Sequence, residues 1–94
     1  MAPDRSGDVP DDTIKTAHQV ADRLQQRGHT RQAAHLRGVL LERRAAAMLL
    51  TALREACQTV LTAVEAIDPV SATMVEELRL EVDTRIKELR DGGR

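Results

Sequence analysis

Thr30-RQAAHLRGVLLERRAAAMLLTALREACQTVLTAVEA-Ile67 carries the longest periodic signal in the chain. Leu36, Val39, Arg43, Ala46, Leu50, Leu53, Cys57, Val60, Val64 and Ile67 recur in steps of three and four, with Arg43 the one polar member. A heptad of this kind is the seam of a packed helix. Read without interruption from 30 to 67, that helix is about 57 Å long, too long for so small a domain unless shorter segments lie along it. Its middle, Ala45 through Leu53, is apolar nearly all round and needs cover on more than one side. Gly38 is its internal weak point.

Outward from this stretch, the ends are shorter and more polar. Residues 1–10 hold two Pro and one Gly with no period and read as a disordered tail. Asp11 or Asp12 then caps a first helix over about 12–27, with Ile14, Ala17, Val20, Ala21 and Leu24 as its apolar stripe and Gly28 ending it. Thr30 is the expected cap of the long helix. Asp68-Pro69 stops that helix and starts a third over about 69–91, Asp68 as N-cap and Pro69 as first residue. Met74, Val75, Leu78, Val82, Ile86 and Leu89 form its stripe, with Glu81–Arg85 and Asp83–Lys87 spaced as ion pairs one turn apart. Residues 92–94 form a short C-terminal tail.

Both connections are tight, so neighbouring helices run antiparallel and facing residues share a constant index sum, about 57 for the first hairpin and about 137 for the second. The fold expected is all-α: one domain over 11–91 with a short, a long and a medium helix. A straight long helix leaves only two helices in each cross-section, which cannot shield a core. A second copy crossing at the alanines supplies the missing cover, which makes the expected molecule an elongated helical-bundle homodimer with interface residues Ala46, Leu50, Leu53 and Cys57. The rival is a compact monomeric bundle with the long helix broken near Gly38 or the alanines.

Composition narrows the function by what it lacks. The 94 residues are 41% hydrophobic and 31% charged, with no Phe, Trp or Tyr. Without aromatic rings the chain has neither the usual interface anchors nor stacking platforms for bases nor the common lining of ligand pockets. A single cysteine allows no internal disulfide, and no signal peptide or membrane span is read, so a soluble cytoplasmic protein is expected. The net charge of −1 conceals a dipole: residues 22–44 carry six positive and two negative side chains, residues 65–88 three positive and seven negative. Such asymmetry bears on association.

Few residues suggest chemistry. His18, Asp22 and His35 fall close together by the first index sum and form a minor candidate metal set, although the shell is incomplete. His35-Leu36-Arg37-Gly38 has the ingredients of a phosphotransfer helix, but its support residues come one place early, about 100° round the helix, and the family is not assigned. Cys57 sits in the seam as a small hydrophobe, with Arg54 the nearest basic residue in sequence. Arg43, the polar seam member, either fixes register or sends its head to water. Arg27, Arg31 and Arg37 form a charged contact face for an acidic protein partner; as the alternative, the Arg-rich first hairpin, with Arg23, Arg43 and Arg44 besides these three, meets nucleic-acid phosphates. No cofactor and no catalytic group are read. The expected function is a non-enzymatic protein–protein interaction module: an adaptor, a chaperone-like protein or a regulatory subunit.

Overall fold

The computed structural model describes residues 11–42 and 45–92. They form four helices: α1 Asp11–Gln26, α2 Thr30–Leu41, α3 Ala46–Val64 and α4 Pro69–Gly92. The all-α expectation holds. The three-helix arrangement does not, because the helix read over 30–67 is two helices. Gly38, its weak point, stays helical inside α2, and the backbone leaves the helix only afterwards. Glu42 is extended (φ −77°, ψ 136°) and Ala45 likewise (φ −58°, ψ 153°).

The reason for the break is visible in the residues around it. Glu42-Arg43-Arg44 offers no apolar side chain to a core, while Leu36 before it and Leu50 after it are fully or almost fully buried. Folding α3 back on α2 buries both apolar stretches against each other instead of laying them end to end. Arg43 itself lies outside the described residues, as do the tail read at 1–10 and residues 93 and 94 of the tail read at 92–94, whose first residue, Gly92, is instead the last of α4. The described residues span 44 × 22 × 18 Å, so a rod of about 57 Å has no room among them. The longest helix is α4, with 24 residues.

Each helix packs on two neighbours: α1 on α2 and α4, and α3 on α2 and α4. Among the described residues the diagonal pairs do not meet. The α1–α2 turn touches the α3–α4 turn through Arg27, His29 and Asp68, and Thr13 at the start of α1 touches Arg85 late in α4. This is an up-down-up-down four-helix bundle. Leu24, Leu36, Leu50, Leu53, Val60, Val64, Val75, Leu78 and Val82 fill its interior. The expected stripes supply that core, with Ile14, Met74, Ile86 and Leu89 half-buried at its margin. Ile67, placed in the seam, is instead 70% exposed in the turn.

Local chemistry sets both turns at the upper end. After α1, Gly28 takes φ 89°, and the His29 N–H donates to the Leu24 carbonyl (2.8 Å) while the Gly28 N–H donates to Gln25 (3.0 Å). That pair of bonds is a Schellman cap, which needs the left-handed residue glycine supplies. His29, not Thr30, occupies the α2 cap position, without a side-chain capping bond. At α4 the Ser71 N–H donates to Asp68 Oδ1 (3.2 Å), so Asp68 is the N-cap the sequence implied.

Candidate functional site

The four residues expected at a dimer seam are core residues of one chain. Leu50, Leu53 and Cys57 are fully or almost fully buried, and Ala46 nearly so. The two-helix cross-section that called for a second copy is absent, because one chain supplies four helices. Burial pushes the Cys57 thiol up to about 12, with Arg79 pulling it back and Asp83 and Glu76 adding to the rise. It stays protonated at neutral pH and is no nucleophile. Arg54, its nearest basic residue in sequence, pairs with Asp83 at 2.9 Å. Asp83 also takes Arg79 at 3.0 Å, and Arg85 takes Glu88 at 2.8 Å, so the α4 pairs differ from those its spacing suggested.

The charged face is largely engaged with its own chain. Arg27 is bound to Asp68, and Arg37 bridges Asp22 and Gln25 across α1 and α2. Among the described residues Arg31 alone of the three stands exposed without an ion pair. The three residues of the candidate metal set are not gathered into one group: Asp22 is taken by Arg37, His18 and His35 are exposed, and the described residues contain no group of three potential ligands.

Sequence reasoning missed the densest polar cluster in the molecule. Asp68 Oδ2 accepts from Arg27 Nε (2.6 Å), His29 Nε2 (2.8 Å) and Ser71 Oγ (2.7 Å), and Oδ1 accepts from Arg27 Nη2 (2.9 Å) besides the Ser71 N–H. Because an ionised carboxylate only accepts, His29 Nε2 carries the proton in this bond. The Arg27 guanidinium, followed by Ser71 and His29, holds the Asp68 carboxyl well below the usual carboxylate range against a smaller opposing effect of burial. Asp68 in turn raises Arg27. Asp-Pro marked the cap, but nothing local in the sequence says that residue 68 meets residues 27 and 29.

Ser, His and Asp are the residue types of a nucleophilic triad, but the connectivity here is different. Ser71 and His29 both donate to one carboxylate and not to each other, and Ser71 is fully buried. No base is placed to take the Ser71 proton. The cluster is a clamp joining the two hairpins. Among the described residues no buried side-chain nitrogen or oxygen lacks a partner, so no buried polar group is left aimed at a ligand.

What remains open lies on the surface. On the outside of α3, Ala47, Met48, Thr51, Ala52 and Glu55 line a shallow groove of about 300 Å³, with Met48 62% exposed. Of the exposed residues on α3 only Arg54 and Glu55 are charged, and Arg54 is already paired. A second groove of about 280 Å³ runs between α1 and α4, lined by Thr16, Gln19, Val20, Arg23, Met74, Glu77 and Glu81. No protein-family model, curated protein or solved structure matches this chain.

Proposed function

We propose that this four-helix bundle is a non-enzymatic protein–protein interaction module, an adaptor, chaperone-like protein or regulatory subunit of the cytoplasm, and that it receives an amphipathic helix of a partner protein along the outer face of α3. The observation that carries this reading is the mismatch between the composition of α3 and its burial. An 18-residue window of α3 reaches a mean hydropathy of 1.2, yet only 39% of it is buried within the bundle. A core helix with a neutral outer face meets the same length-and-hydropathy test as a membrane span, and here Leu50, Leu53, Val60 and Val64 are committed to the core.

The outer face suits a helix. Ala47, Thr51 and Ala52 are small enough for close backbone approach, and Met48 adapts its shape to a range of apolar side chains. Glu55 lies at one end of the groove with no ion pair among the described residues, so the matching partner helix carries Lys or Arg beside its apolar stripe. For the nucleic-acid alternative, Arg27 and Arg37 of the first hairpin are engaged within the chain, while Arg23 and Arg31 have no ion pair among the described residues.

The test uses the full chain immobilised in native extract, in three forms: unaltered, Met48→Glu with Ala52→Glu, and Leu80→Glu as a control on α4. The expected result is a protein retained by the unaltered chain and the control but lost by the α3 double variant, followed by saturable binding of that purified protein with the same ranking. Retention that ignores the charges on α3, or no saturable binding, overturns the reading.

A further inference from the structure

We propose that the groove between α1 and α4 is a self-association face, in which two copies meet about a two-fold axis and each Arg23 pairs with Glu77 of the second copy. The groove has charges of opposite sign on its two rims. Arg23 stands on the α1 side, Glu77 and Glu81 one turn apart on the α4 side, and among the described residues none of the three has an ion pair or side-chain hydrogen bond. This sets them apart from most of the charged residues nearby. Arg27, Arg37, Arg54, Arg79 and Arg85 are all satisfied within the chain. Between the rims the floor is apolar, made by Val20, 6% exposed, and half-buried Met74.

A patch with one sign on each side of an apolar floor complements itself under one kind of two-fold rotation. With the axis along the groove, α1 of each copy lies over α4 of the other, so each Arg23 faces a carboxylate rim and both pairs form at once. With the axis across the groove, α1 lies on α1 and α4 on α4, and the two signs are kept apart. Charge therefore selects a dimer of parallel bundles. Thr13 bonded to Arg85 fixes α1 antiparallel to α4 within each chain, which brings Arg23 and Glu77 into the same groove. Met74 and Val20 of the two copies then close over one another. The net charge of −1 adds little overall repulsion to such a contact.

This surface is separate from the outer face of α3, so either assignment can fail without the other. The experiment is sedimentation equilibrium on the full chain, with concentration read by refractive index. It compares the unaltered chain, Arg23→Glu, Glu77→Arg, the double reversal and Met48→Glu, each checked by circular dichroism for unchanged helicity. The expected mass is twice the 10.4 kDa of one chain. Each single reversal is expected to weaken association by roughly tenfold or more, since two attractive pairs become repulsive. The double reversal restores both pairs with signs exchanged and recovers the dimer, and rising salt weakens it. Met48→Glu leaves the mass unchanged. A monomer throughout, a dimer indifferent to both single reversals, no recovery in the double reversal, or a dimer lost on Met48→Glu each overturns the proposal.

Discussion

Asp68 is the residue on which the two hairpins depend most. Five donor bonds from Arg27, His29 and Ser71 converge on one carboxylate that also caps α4. Its carboxyl is depressed in the folded chain, so its contribution is present above the ordinary carboxylate range, near pH 4 in the unfolded chain, and is lost as pH falls through and below that range. Thermal melts followed by circular dichroism are expected to show Tm falling as pH drops from 5 to 2. In Asp68→Asn, which keeps a capping side chain but cannot ionise, that fall is shallower. Asp68→Ala at neutral pH loses cap and clamp together, and Tm drops by at least about 5 °C. An equal pH slope in Asp68→Asn and the unaltered chain is the contrary result. The cap was legible because Asp-Pro is a local signal. The clamp was not, since it joins residues 39 and 41 positions apart.

Single elements were read well where the signal was a stripe and a stop. Ala17, Ala21 and Leu24 in α1, and Val75, Leu78 and Val82 in α4, are buried as their spacing implied. The index sum placed α3 against α4 correctly: Arg54 meets Asp83, whose numbers add to 137. The break between α2 and α3, which falls beside the alanines where the rival reading allowed one and not at Gly38, was not favoured, and for a physical reason. A stripe reports which face is buried, and Leu36, Leu50, Leu53 and Val60 bury that face whether the helix continues or folds back on itself. Only the polar triplet at 42–44 marked the reversal, and it was read as a single exception. Gly28 and Gly38 now separate turn from helix. Gly28→Ala meets no neighbour within 4 Å but holds φ 89°, and backbone strain alone is expected to cost about 1–2 kcal/mol. Gly38→Ala, also in open space but helical, is expected to stabilise by up to about 1 kcal/mol. Chemical denaturation of both variants checks the opposite signs. Equal shifts, or a destabilised Gly38→Ala, contradict the placement of one as turn and the other as helix.

At the scale of the molecule, burial removes the original seam from partners and leaves two outer surfaces in its place. The neutral face of α3 and the two-signed groove between α1 and α4 follow from which residues the four-helix core did not need. Neither could be identified before the reversal at 42–45 was known, because a straight helix presents Leu50 and Leu53 outward and makes them the interface. Everything functional in this account therefore depends on α2 folding back on α3. The direct measurement is a pulsed electron–electron spin distance between labels on Arg31→Cys and Ala66→Cys, made in Cys57→Ala and diluted with unlabelled chain so that only distances within one copy are read. The bundle places both sites at the end where His29 meets Asp68, giving a distance on the order of 20 Å for neighbouring helices with their label arms. An unbroken helix from 30 to 67 puts them about 52 Å apart, and a distance near that value contradicts the fold and both surfaces read from it.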